Sequence, residues 1–419
     1  MMNYKTLGDY IVPVKVKNID LKATELLGIN IDKFFMPSVA NVVGTDLSSY
    51  KVVEKNQFAC NRMHVGRDYR IPVALSDRDE PFMVSPAYDV FQIKDTTKLL
   101  PEYLMMWFSR AEFDRNAWFY TDADVRGGLA WDAFCNMKLP VPNIEKQREI
   151  VAEYNTIKNR MALNNQLIQK LEETAQAIYK QWFVEFEFPD ENGKPYKSNG
   201  GKMVWNEELE KEIPEGWEVG KLGDIAEIKH GNAFSGENFS EIETDLVLVS
   251  PGNFKIKGGF NFRKNKYFNG DFPPTYVLTE NELIVNMTDL SKNGDTLGNT
   301  AIIPNIQFKT LLHNQRVGKF IFYDNLFVYL VFLLTNQSDY KNFILGTATG
   351  TTVRHTSPSR IEKFPILNPS IDVLSCFNKK VKFLINNINN SFSNEYYLNE
   401  LKSLLLAKMT KVETKKEIV

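Results

Sequence analysis

The sequence repeats itself over half its length, and that restricts the fold more than any other feature. Leu-Gly-Asp stands at residues 7–9 and again at 222–224, an offset of 215. QFACNRM (57–63) faces ELIVNMT (282–288), which places Asn61 over Asn286 at an offset of 225. VSPAYDVFQI (84–93) matches HNQRVGKFIF (313–322) in pattern, and EYLMMWF (102–108) matches VYLVFLL (328–334). VRGG (125–128) answers VRHT (353–356), and KLPVPN (138–143) answers KFPILNP (363–369). Six matches in one order, at offsets of 215 to 229, describe two copies of one plan. A chain of 419 residues is also too long for one ordinary core. The expectation is two similar domains, each followed by a helical segment.

The helical segments are read from their spacing. From Ile150 the apolar positions run Ile150, Tyr154, Ile157, Met161, then Asn164, then Ile168, Leu171, Ala175, Ile178 and Trp182, in alternating steps of four and three. That is a coiled-coil seam, and a buried Asn within one fixes register at a cost in stability. A helix of this kind is on the order of 55 Å long. The second copy is looser: Phe377, Val381, Leu384 and Ile388, a polar middle near Ser391 and Glu395, then Leu398, Leu405 and Met409. Pro140 and Pro142 precede the first run, Pro365 and Pro369 the second. Proline is tolerated before or within the first helical turn and not inside. The simplest solution pairs the two helices with each other, antiparallel. The alternative packs each helix on its own domain or pairs residues 371–411 between molecules.

Each domain reads as α+β. Strand-like runs stand at Val52-Val53, Phe82–Ser85 and Val90–Ile93, and again at Asp245–Ser250, Glu282–Asn286, Thr300–Ile303 and Lys319–Phe322. Helical stretches at Pro101–Asp114 and Leu326–Leu345 interrupt them. Apolar content of 43% and charged content of 24% are globular values. Three dispersed cysteines (Cys60, Cys135 and Cys376) form no CxxC pair, which fits a reducing, cytoplasmic setting. The start of the chain lacks the layout of a signal peptide, and the longest apolar run, FVYLVFLL (327–334), is too short to span a bilayer.

Catalytic signatures are missing from the sequence: there is no GxxxxGK[ST] phosphate loop and no nucleophile elbow. With four histidines and no Cys/His cluster, a metal site is not expected. DFPPTY (271–276) lacks the contiguous geometry of an amine-methylating motif and reads as a turn, and PDENGK (189–194) reads as a loop. Two stretches, KIKGGFNFRKNKYFNGDF (255–272) and NRMHVGRDYR (61–70), interleave basic and aromatic residues, which suits phosphate contact and base stacking. Solvated loops share that composition, and a net charge of −2 means that any nucleic-acid role rests on local patches or on partners.

One string is more specific. WFVEFEFPDENGKPYKSNGGKMVWNEELEKEIPEGWEVGKLGDI (182–225) resembles the junction in specificity (S) subunits of type I restriction-modification enzymes. The matching residues are Phe188-Pro189, Gly193, Pro195-Tyr196, Gly200-Gly201, Asn206-Glu207 and Ile213 to Trp217. VSPAYDVF and LPVPNIEKQREIV also resemble that family. The resemblance implies two target-recognition domains (1–142 and 218–369), a first spacer helix (143–184), a wing (185–217), a second spacer helix (370–412) and a tail (413–419). It implies that each domain reads one half of a bipartite, asymmetric double-stranded DNA site while the helices set the unread gap. Two adenine-methyltransferase subunits carrying S-adenosylmethionine dock on such a chain, and motor-nuclease subunits using ATP and Mg join them; the chain itself is non-catalytic and holds no cofactor. A related type II-like or methylation-only assembly, or a coiled-coil protein-binding adaptor, is the alternative. Candidate DNA contacts are Arg62, His64, Arg67 and Arg126 in the first domain. In the second they are Lys255, Lys257, Arg263, Lys264, Lys292, Arg316, Arg354 and His355.

Overall fold

The structure, a computed structural model, describes residues 4–40, 44–121, 127–262 and 264–409. It divides into two compact units, one formed by residues up to Arg160 together with those from Leu398 onward, the other by Met161–Tyr397.

The first unit is built on a four-stranded antiparallel sheet, ordered Ile11–Val14, Asp89–Ile93, Phe58–Cys60, Val73–Leu75. The second unit contains the same sheet, ordered Ala226–His230, Val317–Phe322, Leu283–Asn286, Thr300–Ile302. The two agree in register as well as in order. Ile11 faces Ile93 as Ala226 faces Phe322, Ala59 faces Val90 as Ile284 faces Lys319, and Phe58 faces Leu75 as Leu283 faces Ile302. The central strand Leu283–Asn286 is buried along its whole length, as expected for a strand covered on both faces.

A second shared device closes each unit. Tyr4–Thr6 pairs with Lys138–Pro140, and Glu218–Lys221 pairs with Pro365–Asn368, both antiparallel. The Leu7 N–H donates to the Met137 carbonyl at 2.9 Å, and the Leu222 N–H to the Phe364 carbonyl at 3.0 Å. Gly8 and Gly223 follow these leucines because the chain runs close by: a Cβ at Gly8 would lie 3.0 Å from Cys135 Cβ, and one at Gly223 3.2 Å from Glu362 Cβ. This pairing corrects one match. The sequence suggested Lys138 over Lys363, whereas the hydrogen bonds place Lys138 over Pro365 and Pro142 over Pro369. The long helices then begin at equivalent residues, Ile144 and Ile371.

Outside the shared sheet the units diverge. The second adds a five-stranded sheet in which Leu246–Val249 and Thr310–His313 run parallel. The first has two strand pairs, Leu27–Ile29 with Phe35–Pro37 and Lys51–Val53 with Phe82–Val84. Each helix expected between strands is broken in two: Pro101–Phe108 with Ala111–Phe119, and Val328–Leu334 with Ser338–Thr347. Hydroxyls compete with the helical ladder at both breaks. Ser109 Oγ donates to the Met105 carbonyl, and buried Thr335 Oγ1 bonds the Phe332 carbonyl and Thr300 Oγ1 at 2.6 Å.

The long helices span Ile144–Phe183 and Ile371–Lys408, and they pack against each other. In the second unit Asn164 Nδ2 donates to the Ser391 carbonyl at 2.7 Å, and the Trp182 and Phe183 rings lie 5.6 and 4.8 Å from Phe377. Rising numbers on one helix meet falling numbers on the other, so the pairing there is antiparallel. In the first unit Ile150 and Val151 share a cluster with Leu406 and Met409. Every expected seam position is buried or half-buried: Ile150, Ile157, Ile168, Ala175, Trp182, Phe377, Val381, Ile388 and Met409 are buried, and Tyr154, Met161, Asn164, Leu171, Ile178, Leu384, Leu398 and Leu405 are half-buried. The alternative packing is also present, because the apolar face is wider than the seam. Tyr179, Leu374, Ile385 and Phe392 are buried too, and Gln176 Oε1 accepts from Gln337 Nε2 at 2.6 Å. Each helix thus serves the pair and the domain core clustered beside it.

Candidate nucleic-acid interface

Equivalent asparagines mark the end of the third strand of the shared sheet, Asn61 directly after Cys60 in the first unit and Asn286 as the last strand residue in the second, and the candidate loops gather beyond them. In the first unit this end is a short helix, Val65–Asp68, touching the segment at Gly127. The Gly66 N–H donates to the Gly127 carbonyl at 2.8 Å, and a Cβ at Gly66 would lie 2.7 Å from Gly127 Cα. Only a pair of glycines allows the two backbones to meet this closely.

The first-domain candidates fare differently. Arg62 is committed to the interior. Its Nε donates to Asp89 Oδ2 at 2.7 Å, a terminal nitrogen donates to the Leu129 carbonyl, and the guanidinium lies 5.4 Å over the Trp131 ring. That side chain is 18% exposed, so its geometry serves structure. Arg67 is exposed and forks onto its neighbour Asp68 at 2.7 and 3.1 Å. His64 is half-buried at the start of the same helix. Arg126 lies outside the described residues. Beside this helix Tyr69, in the left-handed region at φ 55°, and Trp118 form an exposed pair of rings with centroids 5.3 Å apart.

In the second unit the basic and aromatic stretch 255–272 does not form one surface. Phe254, Phe260 and Phe268 are core residues, and Phe262 packs near Tyr396 of the second long helix. Lys255 Nζ lies 3.8 Å from the Phe392 ring centroid and 4.0 Å from Glu172 Oε1. Lys257 is exposed near the same carboxylate. Burial raises the Glu172 carboxyl, and these two lysines oppose the rise. Lys255 and Lys257 therefore sit against the long helices. Lys264 is exposed, and Arg263 lies outside the described residues.

The remaining four candidates collect at the far end of the shared sheet. Arg316 and His355 line an open cavity of about 430 Å³, with His230, Thr288 and Gln315. Arg354 pairs through its backbone with Asp289 and buries an Nε that has no partner among the described residues. Lys292 is exposed in the turn that follows Asp289, and a Cβ at Gly294 in that turn would lie 3.1 Å from Arg354 Cδ. The turn is anchored from both sides. Asp289 accepts from the Ser291 N–H at 2.6 Å and from Thr296 Oγ1 at 2.8 Å. Lys341 Nζ donates to the Leu297 carbonyl at 2.8 Å and to Asn299 Oδ1 at 2.9 Å, and burial pushes its amine down to about 8.

The sequence missed His230, Thr288 and Gln315. The available signal was Gly231 directly after a strand. A Cβ there would lie 2.2 Å from the His313 carbonyl, which marks two backbone segments in contact. Among the described residues no group of three or more His, Cys, Asp or Glu is arranged to hold a metal ion, and no helix is long and apolar enough to cross a membrane.

Comparison with known proteins is consistent with this geometry. Residues 214–373 match the model of the type I restriction modification DNA specificity domain. The chain is similar to the type I restriction enzyme MjaIX specificity subunit of Methanocaldococcus jannaschii, 26% identical over 301 residues, which cover 68% of this chain and 64% of that protein. It is also similar to the type I restriction enzyme HindI specificity subunit of Haemophilus influenzae, 23% identical over 423 residues, covering 90% and 91% of the two chains. The fold is like that of the crystal structure of a type I restriction-modification system S subunit from M. genitalium, with a TM-score of 0.54 at 15% identity, covering 97% of this chain and 95% of that one.

Proposed function

Since the chain belongs to the specificity-subunit family of type I restriction-modification enzymes, we propose that its two units each read one half of a bipartite DNA site. The observation that carries the reading is one sheet built twice in the same register, with unlike side chains at equivalent ends. Like scaffolds hold the two readers alike, and unlike side chains give them different targets. The site is therefore asymmetric and not a palindrome. Residues 1–142 and 218–369 are the reading domains, and 143–184 and 370–412 are the helices that set the unread gap, with 185–217 as the wing between.

The chain's own part is recognition, and the chemistry belongs to partners in the cytoplasm. Two adenine-methyltransferase subunits carrying S-adenosylmethionine dock on the helices and modify one adenine in each half-site. Motor-nuclease subunits driven by ATP and Mg complete the restriction complex. A chain with a net charge of −2 suits this arrangement, because the partners supply much of the phosphate neutralisation.

The test is to express the chain with its neighbouring methyltransferase in a host lacking adenine methylation and to sequence the genome with a methylation-sensitive method. The expected result is one motif of two unlike half-sites separated by a fixed gap. No methylated motif, or a single continuous palindrome, would refute the reading.

A further inference from the structure

The turn at residues 313–317 of the second unit combines a rigid backbone with free side chains. The Val317 N–H donates to the Asn314 carbonyl at 3.0 Å, and the Arg316 N–H to Asn314 Oδ1 at 3.1 Å. The Gln315 N–H donates to the Asn232 carbonyl at 2.9 Å, and the Asn232 N–H to the His313 carbonyl at 2.8 Å. Beneath them buried His313 donates from Nε2 to the Val317 carbonyl at 2.8 Å. Gly231 lies against this turn with no room for a side chain.

Gln315 and Arg316 are exposed, and their side chains make no hydrogen bond or ion pair among the described residues. Arg62 and Arg67 of the first unit, by contrast, are held by carboxylates. His230 stands beside the turn, its Nδ1 3.3 Å from the Gln315 carbonyl. A carbonyl only accepts, so Nδ1 carries a proton, and in the singly protonated ring Nε2 is left as an acceptor. The side chains thus present a planar five-donor fork, an amide and a ring acceptor on one edge of an open cavity.

That set matches the major-groove edges of base pairs. Arginine forks onto guanine O6 and N7, glutamine onto adenine N6 and N7, and an acceptor takes the exocyclic amine of cytosine or adenine. A turn with a fixed backbone holds such groups with little loss of freedom on binding. The equivalent turn of the first unit carries Pro86 and Ala87, both exposed and without side-chain donors. They can offer a base only an apolar contact.

Resting on the DNA-reading function proposed above, we propose that Gln315 and Arg316, with His230 beside them, read bases in one half-site, and that Arg316 specifies a guanine there. The first unit has no counterpart of that arginine at its matching turn, so the guanine contact belongs to one half-site alone.

The methylation experiment tests this with Arg316→Lys, Arg316→Ala and Gln315→Ala, each first checked for the wild-type melting midpoint. The wild-type motif is read first, and its absence would remove the DNA-reading function and this proposal together. With the motif present, Arg316→Ala should lower discrimination at one guanine of one half-site about ten- to hundredfold, leaving the other half-site unchanged. Arg316→Lys should do the same, because it keeps the charge and loses the planar fork. Gln315→Ala should relax an adjoining position. Weaker methylation with an unchanged motif in Arg316→Ala would mark Arg316 as a phosphate contact and overturn the proposal. Should a variant melt early, Arg316→Met, which keeps the apolar stem and removes the guanidinium, supplies the same test, and an unchanged motif there also overturns it.

Discussion

At His313 one buried ring holds a whole turn of the second unit. Burial pulls its imidazole down from 6.5 to about 4, against the opposing pull of its hydrogen bond to the Val317 carbonyl. The sign of the pH effect follows. Below about pH 6.5 the unfolded chain takes up a proton that the folded chain refuses until about pH 4. The stabilisation is complete above pH 6.5 and is lost as pH falls toward 4, amounting to about 3 kcal/mol. His313→Gln should flatten that part of the dependence, measured as the difference between variant and wild type in urea unfolding at pH 7.5 and pH 5. An identical acid loss in both proteins would show that the ring is not responsible. Arg62 gives the opposite lesson in legibility. In the sequence it sits within a basic and aromatic stretch like any nucleic-acid contact, and only the fold brings Asp89 and the Leu129 carbonyl to it.

Among the elements, the long helices were the most legible, since a seam is written in spacing and needs no distant partner to be seen. The second, domain-facing stripe was not legible, because Tyr179, Ile385 and Phe392 gain their meaning from what lies across from them. Two substitutions separate these roles. Trp182→Ala removes a ring packed on Phe183 and Phe377 and should lower stability by about 3–5 kcal/mol in denaturant unfolding. A loss under about 1 kcal/mol would mean the cluster collapses around the gap. Asn164→Leu should act in the other direction. It replaces the half-buried polar residue that bonds the Ser391 carbonyl, and a seam with Leu there should gain on the order of 1 kcal/mol while losing a register mark. A lower melting midpoint would show that the hydrogen bond outweighs the apolar gain.

For the whole molecule, Asn164 and Ser391 mark the same step of two seams, 227 residues apart, as Ile144 and Ile371 mark the same start. Under the proposed function this is where the gap between half-sites can be altered. Matched seven-residue blocks inserted after Asn164 and after Ser391 keep the seam in step and leave the pairings at Ile150 and at Trp182 untouched. The expected outcome is a methylated motif with both half-sites retained and a longer gap between them. Altered half-site bases at an unchanged gap would refute the division between readers and spacer.

The repeat, the seams and the α+β character were fixed by order along the chain. Matches such as Asn61 with Asn286 survive because equivalent hydrogen-bonded positions tolerate the same residue types. The tertiary structure decided what order cannot carry. It moved the proline joint by two residues, through pairing between segments more than a hundred residues apart. It turned Lys255 toward Phe392 and drew His230, Gln315, Arg316 and His355 around one cavity from three separate segments. A side chain's periodicity is local and so is visible in one dimension. Its partner is set by which distant segments share a sheet, and that exists only once the chain has folded.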